Sequence, residues 1–316
     1  MDFLFLCSNF ASGKTTIIMD KKYWLPLFCI FSSILLFIIL FNGTDSISGL
    51  RSEYVNIDSC RVHYKVSGDG PATIVYIHGF GCDMNTWDCQ YKAFRRDFRQ
   101  VFIDLPGYGQ SGKPHVNYTL QYFADAVTAV LDKIGAGDVV LVGHSLGTPV
   151  CRQVLLSGRR QGGLFDIDGV YCFYSEPADP EYVAAVQAFA SSFDGPGCRS
   201  VIEGFVQSLA GPDTPDNVTE YAMSVMPETP EYVASSTMHN LIDKCWWDGS
   251  RITVPTAVIC TRNSGLDPDN REKMAVLYPD LDYTELTTCG HFIQMEQPET
   301  VNDGIRSLAG RVFLKN

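Results

Sequence analysis

Short apolar runs of strand length recur along most of this chain, separated by stretches with helical period. Ala72 to Ile77, Val139 to His144, Val170 to Tyr174 and Val254 to Thr261 read as buried strands, and Asp282 to Leu286 alternates like a half-buried one. Between and after them come helical patterns: Thr148 to Ser157, with apolar Val150, Val154 and Leu155; a helix ending at Leu277; and a terminal helix opened by Gln297-Pro298-Glu299. Tyr54 to Ile57 and Arg61 to Val66, turned at Asp58-Ser59, predict an antiparallel edge. Strands that alternate with helices predict an α/β domain over residues 53–316, with a mostly parallel sheet covered on both faces. The alternation breaks over about 177–250. That stretch holds helical segments such as Tyr182 to Phe193 and Ser200 to Leu209, and reads as an inserted cap. Its large apolar residues, Phe189, Phe193, Phe205, Met223, Met226, Trp246 and Trp247, either pack the cap or line an apolar pocket beneath it.

A different pattern occupies the N-terminus. Residues 23–41 carry no charge, and as a helix they would span roughly 28 Å, close to the thickness of a bilayer's hydrocarbon core. The segment is therefore expected to be a transmembrane signal anchor in contact with the lipid bilayer. It would follow a cytosolic tail, 1–22, and precede a linker, 42–52. Lys14, Lys21 and Lys22 before it favour a type II orientation, with the α/β domain luminal or extracellular. Small residues at Thr44, Ser46 and Ser48 also offer cleavage-type spacing, which would give a secreted protein. Three sequons, at Asn42, Asn117 and Asn217, fit such a destination. So does the presence of 11 cysteines, among which Cys82 with Cys89 and Cys198 with Cys245 are the expected pairs; Cys172 and Cys260, on predicted central strands, are expected as buried thiols. The formal charge of −12 disfavours nucleic acid as a partner. No metal-ligand spacing stands out, and no cofactor is expected.

The chemistry concentrates in Gly143-His144-Ser145-Leu146-Gly147. This G-x-S-x-G lies between an apolar strand and a helix, the setting in which a sharp turn lifts a serine hydroxyl above the sheet. A serine needs a base, an orienting acid and donors for the oxyanion that develops. The base expected is His291, on the glycine-adjacent loop after the last strand, and the expected donors are the backbone N–H groups of Phe80 and Leu146. For the acid, Asp267 ranks first because it follows a late strand and keeps the order Ser, acid, His; Glu176 and then Asp269 are the alternatives. His78 and His144 are expected to hold the loops around the site.

Together, His78-Gly79, Asp104-Leu105-Pro106-Gly107-Tyr108-Gly109-Gln110-Ser111, the elbow, and Gly290-His291 resemble the α/β-hydrolase superfamily in its serine-hydrolase branch. The resemblance covers the chain from about Glu53 onward. It implies an eight-stranded, mostly parallel sheet flanked by helices, and a structural role for Asp104. The loop Arg262 to Asp267 departs from the usual glycine-then-aspartate spacing. Members resembling epoxide hydrolases and haloalkane dehalogenases carry aspartate at the elbow; serine there implies attack on a carbonyl carbon, hence cleavage of an ester or related acyl bond of a small, mainly apolar molecule. Two other activities fit the same residues less well: a cofactor-free haloperoxidase or perhydrolase, and a non-catalytic ligand-binding ectodomain.

Overall fold

The computed structural model of this chain describes residues 46–172, 179–243, 247, 249–262 and 269–314, and the backbone of 5–9 and 14–18. The chain divides into two units, 1–45 and 46–316. In the first, β1 (Phe5–Asn9) and β2 (Lys14–Ile18) pair antiparallel, with Phe5 opposite Ile18 and Asn9 opposite Lys14. Both strands fall within 1–22, the stretch expected to be the cytosolic tail, and the second is the β-branched run Thr15 to Ile18.

The N-terminal transmembrane helix is corrected. Among the described residues no helix is long and apolar enough to cross a membrane, and 23–41 lie outside them, so the bilayer contact expected there loses its basis. An uncharged run fixes hydropathy, not helicity.

The second unit is built on an eight-stranded sheet of order β10-β9-β8-β7-β5-β6-β4-β3. Its strands are β3 (Ser52–Ile57), β4 (Cys60–Ser67), β5 (Thr73–Ile77), β6 (Arg99–Ile103), β7 (Val139–His144), β8 (Gly162–Ile167), β9 (Thr256–Thr261) and β10 (Leu281–Leu286). From β6 to β10 all pairings are parallel, and the β3–β4 hairpin joins β6 antiparallel at the edge, as the sequence predicts. Asp58 turns that hairpin with φ at +43°.

One strand departs from expectation. The sixth strand is Gly162–Ile167, and Val170 to Cys172 after it are not in a strand. Cys172 is therefore buried off the sheet, whereas Cys260 lies on β9 as expected.

Alternate side chains of the central strands feed two cores. Val75, Ile77, Val139, Leu141 and Leu164 pack on one face with helices α2 (Leu120–Lys133) and α3 (Gly147–Leu156). Ile74, Tyr76, Val140, Val142 and Phe165 pack on the other with α1 (Asp88–Phe94) and α10 (Pro298–Phe313). The period-2 geometry of a strand makes this split unavoidable, and burial on both faces is why these runs are apolar throughout. The cap supplies α4 (Pro180–Ser191), α5 (Cys198–Ser208), α6 (Asp216–Val225) and α7 (Glu231–Leu241) between β8 and β9; α8 (Asn270–Leu277) and the short α9 (Ile293–Glu296) complete the set.

Neither expected disulfide forms. Cys82, Cys89 and Cys198 are free thiols, and Cys245 lies outside the described residues. Cysteine at these sites serves as a small apolar residue: Cys82 and Cys198 are buried, and burial pushes both thiols up from their ordinary pKa.

Candidate active site

The site sits at the carboxyl ends of β7, β8 and β9. Ser145 follows β7 with φ at +52°, a left-handed conformation that costs a non-glycine residue of order 1 kcal/mol or more. The surroundings enforce it. A Cβ at Gly147 would come within 2.2 Å of the Ile77 carbonyl oxygen, and one at Gly143 within 2.7 Å of the Gly147 backbone, so only glycine lets the turn close this tightly. The Ser145 N–H donates to the Ile167 carbonyl, and its own carbonyl accepts from Thr148 N–H, which pins both sides of the bend. Helix α3 begins immediately after, aiming its N-terminus at the hydroxyl.

His291 stands on the loop after β10, its backbone N–H donating to the Leu209 carbonyl of the cap. Its Nδ1 lies 2.6 Å from Asp168 Oδ2. Asp168 follows β8, is 4 % exposed, and is itself left-handed at φ +47°. Its other carboxyl oxygen accepts the Thr261 N–H at 3.0 Å, and its own N–H donates to Ile259, so the end of β9 orients the carboxyl. The carboxylate paired with His291 is thus Asp168, which sequence analysis did not single out. Asp267 and Glu176 lie outside the described residues, and Asp269 stands at the N-terminal end of α8.

Ser145 and His291 line one cavity of about 10 Å³, room for a single water molecule. Gly79, Phe80 and His144 contribute from the core, and Phe205, Leu209 and Met226 close it from the cap. Of the cap residues named above, Phe205 and Met226 therefore face the site. Phe193 is fully buried and packs on Phe80 at 5.6 Å between ring centroids, Phe189 is exposed, and the Trp247 indole donates to Leu241. Trp246 lies outside the described residues. Among the described residues, no hydrogen bond uses the backbone N–H of Phe80 or of Leu146, which leaves both for an incoming oxygen.

A larger cavity of about 380 Å³ is lined by neither Ser145 nor His291; Gly81, Cys82 and cap residues around Val225 and Glu228 border it. Cys82 lines both spaces.

The remaining histidines here are structural. His78 Nδ1 donates to the Gly79 carbonyl and its Nε2 accepts the Leu105 N–H, which requires the neutral ring; burial lowers its pKa against the opposing pull of Asp104. His144 donates from Nε2 to the His291 carbonyl at 3.0 Å, and burial, reinforced by His291, holds its pKa well below the ordinary value. It therefore fixes the backbone that carries His291 without competing for the proton. Burial alone would raise the pKa of Asp104, but it accepts from His63, Met84 N–H and Gln110 N–H, and these bonds hold it below the usual carboxylate value. It staples the turn from Leu105 to Ser111.

Sequence analysis also missed Asp166. It is fully buried on β8, where Oδ1 accepts from Thr148 Oγ and Gly169 N–H and Oδ2 accepts from the Tyr171 hydroxyl. Thr148 lies next to the elbow and Gly169 next to Asp168, so one carboxyl braces both turns. Burial, opposed by these three bonds and aided by the Asp168 charge, raises its pKa to about 6. The folded protein keeps this proton up to about pH 6, whereas the unfolded chain releases it near 3.8. Stability therefore falls as pH rises through that window, by about 3 kcal/mol in all. Asp166→Asn is expected to flatten this fall, and urea midpoints of both proteins at pH 4 and pH 7 measure it: the wild-type protein should lose more between the two than the variant does.

The sequence profile of the alpha/beta hydrolase family matches residues 74–303. The chain is an alpha/beta hydrolase. Over 102 residues it is 34% identical to the dihydrolipoyllysine-residue acetyltransferase component of the acetoin cleaving system of Cupriavidus necator, a stretch that is 32% of this chain and 27% of that protein. Over 99 residues it is 33% identical to epoxide hydrolase 4 of Homo sapiens, 30% of this chain and 27% of that one. These matches span about a quarter of the relatives' length. Among solved structures, an esterase from Exiguobacterium antarcticum superposes with a TM-score of 0.72 at 18% identity, covering 82% of this alpha/beta hydrolase and 99% of the esterase. An esterase from Thermogutta terrifontis gives 0.67 at 22%, covering 81% and 97%. At such identities the likeness concerns the fold.

Proposed function

We propose that this alpha/beta hydrolase cleaves carboxylic esters or lactones of small, mainly apolar molecules through Ser145, His291 and Asp168. The observation that carries this reading is the 2.6 Å pairing of His291 Nδ1 with Asp168, together with Ser145 on the strained elbow of the same cavity. With its Nδ1 proton held by Asp168, His291 keeps a lone pair on Nε2. That nitrogen takes the Ser145 proton as the hydroxyl adds to the carbonyl, then gives it to the departing alcohol. The Phe80 and Leu146 N–H groups hold the oxyanion. Water, activated by the same nitrogen, then splits the acyl-enzyme.

The serine also weighs against the epoxide chemistry named in some relatives. A serine opening an epoxide would form an alkyl ether, which has no carbonyl for water to attack, and the enzyme would stop after one turnover. An aspartate forms an ester there and recovers. A panel of p-nitrophenyl esters of increasing chain length, with lactones and an epoxide alongside, tests the proposal: ester or lactone turnover is expected, and hydrolysis of the epoxide alone would overturn it.

The cap side of the small cavity sets a second expectation. Met226 is 1 % exposed and closes the 10 Å³ space. Short acyl groups are therefore preferred. Met226→Ala should raise kcat/KM for propanoate and butanoate esters relative to acetate by about ten-fold, one extra methylene or two in an apolar pocket having that order of effect, at a cost of about 2–4 kcal/mol in stability.

A further inference from the structure

A second serine, histidine and aspartate stand in relay at the opposite edge of the sheet. His63, on β4, is 1 % exposed, and its Nδ1 lies 2.8 Å from Asp104 Oδ2. Its Nε2 lies 2.9 Å from the Ser52 hydroxyl oxygen. Asp104 Oδ1 accepts the Met84 N–H and Oδ2 the Gln110 N–H, so this carboxylate is built to accept; the tautomer that pairs with it carries the imidazole proton on Nδ1 and turns the Nε2 lone pair to the Ser52 hydroxyl. This is the tautomer a general base needs. The ring is fixed from its face as well, with the Tyr54 ring 5.0 Å away between centroids and the Arg61 guanidinium 3.5 Å from the centre of Tyr54 on the same hairpin. Ser52 itself opens the edge strand β3 and is exposed, so a small electrophile reaches its hydroxyl without any movement of the cap.

We infer that Ser52 is a second nucleophilic serine, acylated by small activated carboxylic esters with His63 as its base. As the Ser52 Oγ–acyl bond forms, the bond between acyl carbon and leaving oxygen breaks. The hydroxyl proton passes to His63 Nε2 and on to that oxygen, so one ester and one hydroxyl become a new ester and an alcohol, with no change of oxidation state. The alcohol leaves into solvent. Removal of the acyl group by water reverses the proton path.

The test uses the full-length Ser145→Ala protein, which silences the main site, and p-nitrophenyl acetate as the probe. Acetylation is mapped by peptide mass spectrometry against time. Ser48 serves as the internal reference: it is also exposed and four residues away, but its hydroxyl meets Ser46, not an imidazole. Ser52 is expected to be acetylated about a hundred-fold faster than Ser48, the usual scale of a positioned general base. Adding Ser52→Ala, a surface change that leaves the cores untouched, should abolish the label on that peptide. Acetylation of Ser52 no faster than that of Ser48, or none at Ser52, overturns the proposal.

Discussion

Ser145→Ala should lower kcat/KM for a short p-nitrophenyl ester by roughly 10⁵-fold, because nucleophile and base act as a unit and removing either forfeits nearly all that the pair contributes. Secondary structure and melting temperature should stay close to those of the parent, since the side chain has no partner in either core. Ser145→Gly sharpens the test. It should be equally inactive yet more stable by about 1 kcal/mol, because glycine occupies the +52° backbone without strain. Calorimetry beside steady-state kinetics separates the two effects. Wild-type rates in either variant would remove Ser145 from the chemistry.

Asp168→Asn carries the second large effect. The amide keeps the shape of the carboxyl and its bond from Thr261 N–H, but it neither stabilises a charged imidazole nor holds the tautomer that leaves Nε2 free. A fall in kcat of about 10⁴-fold is expected, with KM changed little. Asp267→Asn, made alongside, should leave kcat within a few-fold. The reverse pattern, with Asp267 essential and Asp168 dispensable, would return the acid to the loop after β9.

Why the sequence points to one loop and the structure to another is a matter of β8. Residues 162–167 read Gly-Gly-Leu-Phe-Asp-Ile, two glycines and a carboxylate in six positions, while the Val-Tyr-Cys-Phe-Tyr run just after has far better strand composition. What makes Asp166 tolerable inside the sheet is a set of three donors, from Thr148, Gly169 and Tyr171, that only the folded chain assembles. Once the strand is displaced to Val170 to Tyr174, Asp168 falls at its amino end, where a group of this site would not stand, and the acid is sought on later loops. Asp168-Gly169 was the available signal, a turn pair closing a short apolar run. By contrast, the elbow was legible because its glycines are demanded by backbone contacts within a few residues and on the neighbouring strand. The edge hairpin and the terminal helix were legible for the same reason, being encoded by local turn and helix-start residues. His63 shows the opposite limit: its partners, Ser52 and Asp104, are 11 and 41 residues away, and nothing local marks it.

In the proposed triad, an acid placed just after β8 leaves the reactive groups unevenly distributed along the polypeptide. Ser145 and Asp168, the proposed nucleophile and acid, belong to one strand–helix–strand unit, 139–168, whose strands are adjacent and whose turns are braced together. The imidazole arrives from the far end of the chain. A protein truncated or frayed before β10 would retain a finished elbow and acid with no proton acceptor between them. Activity is therefore expected to appear late in refolding, only when the C-terminal segment docks, well after the central sheet has regained its absorbance and dichroism.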